Sequence, residues 1–200
     1  HFAGHPCDME TIYRIAVKHR CIVIEDAAHA LGAEYRGTRI GSCKYSDMTI
    51  FSFHPVKSIT TGEGGAVMTN NKVLYKKLLL LRSHGITKEK NGMSNYEGDW
   101  YYEMQYLGFN YRITDFQAAL GISQLKKIDK FIKRRRRIAS LYDEAFKRNP
   151  YFDIPKEKPS ARSAYHLYPI RLRDNRKAER KEIFAALKNS GLHVQVHYIP

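Results

Sequence analysis

A chain of 200 residues has room for one large domain, or one and a half small ones, with an ample core, and no stretch approaches the roughly 20 apolar residues that cross a bilayer as a helix. Its 34 Lys and Arg against 20 Asp and Glu leave a net charge of +14, yet no zinc spacing or aromatic-interleaved basic motif accompanies the excess, which sets nucleic acid and membrane partners aside. Three cysteines (Cys7, Cys21 and Cys43), odd in number and without metal-ligand spacing, read as free thiols of a reducing cytoplasm with no bound metal.

Asp8 can cap a helix from Met9 to about His19, with Ile12, Ile15 and Ala16 on its buried side. The run Cys21 to Glu25 follows as a buried parallel strand. Glu34 to Ile40, turning at Arg36-Gly37, reads as a small hairpin. Met48 to Phe53 and Ala66 to Thr69 are strands flanking a glycine-rich loop, Thr60-Thr61-Gly62-Glu63-Gly64-Gly65. Asn71 begins a helix through about Arg82 with Leu74, Leu78 and Leu81 facing inward, and the polar stretch Thr87 to Asp99 reads as a mobile loop.

Thr114-Asp115 opens a helix to about Gln124, and a further helix runs from about Ile128 to Arg148 until Asn149-Pro150 stops it. The basic run Lys133 to Arg137 lies among Ile128, Phe131, Ile132, Ile138 and Leu141 at helical spacing, so its charges read as a solvated face. Tyr165 to Leu172 is a strand, Ala178 to Asn189 a helix ended by Gly191, and His193 to Val196 a strand. Strands alternating with helices argue for an α/β fold with a parallel or mixed sheet.

Two segments carry chemistry. In Ser52-Phe53-His54-Pro55-Val56-Lys57 an alternating apolar strand runs into a loop that carries a lysine. Such an amine is either a surface group or a Schiff-base nucleophile whose pKa burial depresses. In Cys21 to Gly32 acids appear at the carboxyl end of a strand, where open α/β sheets bind ligands. Asp26 there is either a helix N-cap or the partner of a cofactor's pyridine nitrogen, which it would keep protonated. His29 is either a half-buried structural histidine or a donor to a ring oxygen, and Ala27, Ala28, Ala30 and Gly32 leave room for a flat ring.

Asp26-Ala-Ala-His29, Ser52 to Lys57, Gly62-Glu-Gly-Gly65 and Leu107-Gly-Phe-Asn-Tyr-Arg112 together resemble the pyridoxal-phosphate-dependent nucleotide-sugar aminotransferases, in order and spacing and over the whole chain. The resemblance implies the aspartate aminotransferase type of α/β fold. Residues 1–130 would be the later part of the cofactor-binding large domain, and residues 131–200 an interdomain helix and an incomplete small domain. Pyridoxal 5'-phosphate would be bound by Asp26, His29, Ser52, Lys57 and Asn110, with Lys57 as the catalytic amine and Asn110 reaching the neighbouring subunit of a homodimer. Arg112 would meet either a donor carboxylate or a structural acid, and His166 and His197 either the nucleotide sugar or their neighbours in packing. The opening His1 to Met9 and Trp100 to Asn110 resemble family members that aminate a UDP-linked 4-keto-6-deoxy-N-acetylhexosamine on the pseudaminic acid route, with an amino-acid donor resembling glutamate. Relatives acting on lipid A, perosamine or antibiotic sugars are the alternative, as is a non-catalytic binding protein. Family members that dehydrate sugars carry histidine in place of the lysine, so Lys57 favours transamination. Members are longer at both ends, which marks this sequence as an internal fragment.

Overall fold

The computed structural model describes residues 1–173 and 179–198. Helix α1 (Met9–His19) starts where the Asp8 carboxylate accepts the Thr11 amide, as the capping pattern predicts. Its buried residues are Met9 and Ala16, whereas Ile12 and Ile15 are exposed. Strand β1 (Ile24–Asp26) begins later and ends later than its apolar run suggests. The Asp47 carboxylate takes the Val23 amide at 2.8 Å, so only the Val23 carbonyl, which accepts the Asp47 and Met48 amides, still serves the neighbouring strand.

The hairpin β2 (Glu34–Tyr35) and β3 (Thr38–Arg39) forms as expected. Strand β4 (Met48–Ser52) pairs in parallel with β1, from Ile24 opposite Met48 to Asp26 opposite Ile50. Strand β5 (Gly65–Met68) pairs antiparallel on the other side of β4, giving a mixed sheet in the order β1-β4-β5. Because β1 and β4 run the same way, Asp26 and the chain that leaves Ser52 toward Lys57 emerge at one sheet edge. Gly65 opens β5 because a Cβ there would sit 2.6 Å from the Phe51 carbonyl oxygen.

Helix α2 (Lys72–Leu81) is capped by Asn71, whose side chain accepts the Val73 and Leu74 amides, and Leu74, Leu78 and Leu81 are half-buried. Thr87 belongs to strand β6 (Ile86–Thr87), which pairs with β7 (Glu103–Met104), so the polar stretch between them is anchored at both ends. Helix α3 (Asp115–Leu125) opens on a reciprocal capping box between Thr114 and Gln117. Helix α4 (Ile128–Phe146) lays Ile128 and Ile132 over the small-residue stretch Ala27, Ala30 and Ala33, all of them buried. Gly32 meets this helix so closely, at a φ of +86°, that a Cβ would lie 2.9 Å from Ile132 Cγ1.

The basic run of α4 is only in part a solvated face. Lys133, Arg134 and Arg137 are exposed. Arg135 instead donates to the Tyr165 and His166 carbonyls at 3.3 and 3.0 Å, and Arg136 to Glu157 and the Ser163 carbonyl. These bonds fasten a segment that returns to the start of the chain. Strand β8 (Phe152–Asp153) pairs with β10 (Arg171–Leu172), and β9 (Ala161–Arg162) joins the hairpin through β2.

Between β9 and β10 the expected strand over Tyr165–Leu172 is paired only at its last two residues. The preceding backbone is claimed elsewhere: Leu167 donates to Ala3 and Tyr165 to the Ser163 hydroxyl, while Arg135 takes the two carbonyls. Helix α5 (Arg180–Asn189) starts after Glu179, and the expected start at Ala178 lies outside the described residues. His193 to Val196 runs on without a ladder among the described residues. Among those residues no helix is long and apolar enough to cross a membrane.

Candidate active site

The sheet edge where β1 and β4 end opens into a cleft of about 440 Å³ lined by His1, Phe2, Asp26, Ala28, His29, Lys57 and Tyr198. That size falls in the range of ~300–1,000 Å³ usual for small-molecule sites. Alternation along β1 aims Asp26 outward into the cleft, and one of its carboxylate oxygens also accepts the Ala28 amide at 3.1 Å. The turn role and the ligand role therefore coexist in one side chain. Lys57 enters from the tight turn after β4, closed by its amide on the His54 carbonyl at 2.9 Å, and is half-buried.

His29 stands between them. Its Nδ1 accepts the Ala3 amide at 3.3 Å, and its Nε2 lies 3.2 Å from Tyr198 Oη. Burial, and next the nearby Lys57 ammonium, push its pKa down, so the ring is neutral at neutral pH. A neutral ring that accepts at Nδ1 carries its proton on Nε2. His166 packs against it with ring centroids 4.4 Å apart. Burial, then the charges of His29, Lys57 and Arg135, bring the His166 pKa down to about 4, and its buried Nδ1 has no partner among the described residues.

Behind the cleft, Glu25 points the opposite way from Asp26 into the interior. It accepts from His1 Nε2 at 2.7 Å, Thr49 Oγ1 at 2.9 Å and the Ser46 hydroxyl. The hydrogen bonds from His1, Ser46 and Thr49 outweigh burial and keep its pKa below the usual carboxylate value.

Of the residues singled out from the sequence, Asp26, His29 and Lys57 line one cleft, and His166 and His197 stand beside it, His197 through its charge on His29. Ser52 ends β4 with its hydroxyl toward the His54 amide, 3.4 Å away, outside the cleft lining. Asn110 pairs with Ser83 on an exposed segment, and Arg112 lies exposed two residues on, both away from this cleft. The sequence reading missed His1, Phe2, Tyr198 and the buried Glu25. Tyr198 directly follows His197, and Glu25 directly precedes Asp26, so strand alternation was the available signal for the second of these.

An amine and a carboxylate thus line one cleft from the ends of neighbouring parallel strands of an α/β fold. The chain belongs to the DegT/DnrJ/EryC1/StrS aminotransferase family, whose model matches residues 1–200. It is 47% identical over 199 residues to the UDP-4-amino-4,6-dideoxy-N-acetyl-beta-L-altrosamine transaminase of Campylobacter jejuni, covering 100% of this chain and 50% of that protein. PseC of Helicobacter pylori, an aminotransferase involved in the biosynthesis of pseudoaminic acid, superposes with a TM-score of 0.87 at 36% identity, over 100% of this chain and 51% of its own. The PLP-form of Spr1654, a sugar aminotransferase of Streptococcus pneumoniae by its description, gives 0.85 at 30% identity over 98% and 53%. The fold is thus the aspartate aminotransferase type, and the chain spans about half the length of the relatives it matches.

Proposed function

We propose that the complete protein is a pyridoxal-phosphate-dependent aminotransferase acting on a 4-keto-6-deoxy nucleotide sugar. The sugar in this reading is a UDP-linked N-acetylhexosamine of the pseudaminic acid route, and the amino donor resembles glutamate. The observation that carries it is the meeting of Lys57, Asp26 and His29 in one cleft. The donor set fits the cofactor: an amine for an aldehyde, a carboxylate for a pyridinium nitrogen, and an N–H donor for a ring oxygen. Between Asp26 and His29 the cleft is lined by the small side chain of Ala28, which leaves room for a flat ring.

When bound, pyridoxal phosphate supplies an electron sink that stabilises negative charge on the carbon next to the transferred nitrogen. Lys57 Nζ would hold the aldehyde end and, once free, carry the proton between the reacting carbons, a general acid and base in turn. Asp26 would pair with the ring nitrogen and keep it protonated. His29 Nε2–H would donate to the ring oxygen. Ser52 and, from the partner subunit of a homodimer, Asn110 would serve the phosphate, while His166, His197 and Arg112 face substrate in this reading. The dimer is supported by the exposure of Leu107 and Phe116, 88% and 91%, on either side of Asn110 and Arg112. Residues 1–130 and 131–200 would divide between large and small domains, with the returning segment 158–167 as their seam.

The test is direct. The complete protein incubated with cofactor should absorb in the near-visible, and borohydride should leave a stable adduct on Lys57. A colourless protein with no adduct supports a binding module instead. Turnover of a panel of UDP-, GDP- and dTDP-linked keto sugars then decides the substrate, and preference for another sugar class overturns the finer assignment.

A further inference from the structure

Lys57 is fixed unevenly on its two sides. Downstream, Ser58 and Ile59 are buried, and the Phe53 carbonyl gathers the Thr61 amide at 3.0 Å and the Thr60 hydroxyl at 3.1 Å. Upstream, His54, Pro55 and Val56 are all exposed, so packing does little to hold them. Order there comes from His54. Its carbonyl accepts the Lys57 amide at 2.9 Å, and its ring Nδ1 accepts the Val56 amide, two residues on, at 3.3 Å. Pro55 between them has its φ set by its own ring, so the histidine closes the kind of turn that an Asn or Asp side chain closes. A ring that accepts at Nδ1 is neutral and carries its proton on Nε2. That nitrogen faces the Glu63 carboxylate of the glycine-rich loop at 3.8 Å, which favours this tautomer. Glu63 is held in turn, because its carbonyl accepts Gln117 Nε2 from the first turn of α3 at 3.0 Å. The His54 and Glu63 side chains are 47% and 74% exposed, so their pairing adds little to stability. What it sets is the direction in which the chain delivers Lys57.

We propose that His54 is a positioning residue for Lys57: its ring, oriented by Glu63, holds the Val56 amide and so fixes the turn that aims the lysine into the cleft. The acceptor at Nδ1 carries the effect, not the bulk of the ring. An asparagine side chain, whose Oδ1 reaches the same amide, can therefore replace it, and alanine cannot. The inference rests on the aminotransferase reading for the role of Lys57, and on the turn alone for the role of His54.

The turn is read in the complete, cofactor-free protein from hydrogen exchange of the Val56 amide. Loss of one neutral hydrogen bond corresponds to about fivefold faster exchange in His54→Ala, with His54→Asn close to wild type. An alanine variant that exchanges at the wild-type rate overturns the proposal. The aim of Lys57 is read in kcat for a UDP-linked keto sugar and in the rate at which near-visible absorbance develops on adding pyridoxal phosphate. His54→Ala should lower both by about 10–100-fold, with the sugar KM within about twofold of wild type and an unchanged melting temperature. His54→Asn should restore both rates to within about threefold of wild type. Equal losses in the two variants, or an alanine variant within about twofold of wild type in both rates, overturn the proposal. A wild-type protein that takes up no cofactor refutes the aminotransferase reading alone, because Val56 exchange still judges the turn.

Discussion

Replacing Glu25 should damage the fold rather than the chemistry, and the structure says by how much. The carboxylate is 5% exposed and ends in three donors: His1 Nε2–H, Thr49 Oγ1 and the Ser46 hydroxyl. In Glu25→Ala the two hydroxyls, 3.4 Å apart, can satisfy each other, but His1 loses its acceptor in a buried place. Against the opposing effect of burial, hydrogen bonds with Cys7 and Glu25 raise the His1 pKa to about 9, so Glu25→Ala strands a buried imidazolium, which costs about 3–5 kcal/mol. Glu25→Gln keeps the volume and one acceptor oxygen for the hydroxyls. Its NH₂ then faces the His1 N–H, and the neutral amide no longer balances the charge of that ring. That variant should lose about 1–3 kcal/mol. At about 2–4 °C per kcal/mol for a domain this size, melting should fall by about 6–20 °C for alanine and about 2–12 °C for glutamine. Thermal unfolding by circular dichroism, with urea titration as a second probe, measures both in the complete protein. An alanine variant within about 1 kcal/mol of wild type, or a glutamine variant worse than alanine, refutes the reasoning.

Three further outcomes follow from other parts of the molecule. Lys57→Ala should lower turnover of the complete protein by at least about 10²–10⁴-fold and abolish the borohydride adduct, while melting stays near wild type; retained turnover removes Lys57 from the chemistry. Gly32→Ala should destabilise by about 1–3 kcal/mol, since its Cβ would press on Ile132 at a positive φ, and Ile132→Ala alone by about 2–5. Combined, the two should lose less than their sum in urea midpoints, because each relieves the other. His166 supplies the pH dependence: its folded pKa of about 4 lies below the unfolded 6.5, so its contribution is complete above about pH 6.5 and lost as pH falls toward 4. The loss amounts to about 3 kcal/mol, and His166→Gln should flatten that slope in stability measured against pH; an unchanged slope refutes it.

Local rules carried much of the architecture. The caps at Asp8, Asn71 and Thr114, the hairpin at Arg36-Gly37 and the alternation of β4 all formed from signals within a few residues. What failed was decided by distant side chains. Asp47 shortens β1 from a neighbouring loop, and Arg135 reaches across from α4 to take carbonyls that a strand would have used. No periodicity in Tyr165 to Ile170 announces an arginine thirty residues upstream. The buried side of α1 was misjudged for a related reason, since helical spacing marks an apolar face without saying what covers it. In the site, the motif residues at strand ends were legible because open α/β sheets bind there. Tyr198 and His1 were not, because each comes from a stretch distant in sequence and is held at the cleft by a single side-chain contact, His1 by Glu25 and Tyr198 by His29.

The adjacent acids Glu25 and Asp26 show how one short strand divides two tasks. Side chains alternate along β1, so a single step in sequence sends Glu25 into the interior and Asp26 into the cleft. Inside, full hydrogen bonding makes a charge tolerable and fastens β1 to β4 through Thr49 and to the start of the chain through His1. Outside, Asp26 spends one oxygen on its own turn and leaves the other for the cleft that Lys57 also lines. The parallel register of β1 and β4 is what makes the two strand ends neighbours, and Glu25 with Thr49 is the side-chain bond across that register. A slip of one residue would bury Asp26 and expose Glu25, losing the interior network and the cleft carboxylate together. The strand's stability and its chemistry are therefore tied to the same alignment, which is why a three-residue strand suffices to place the site.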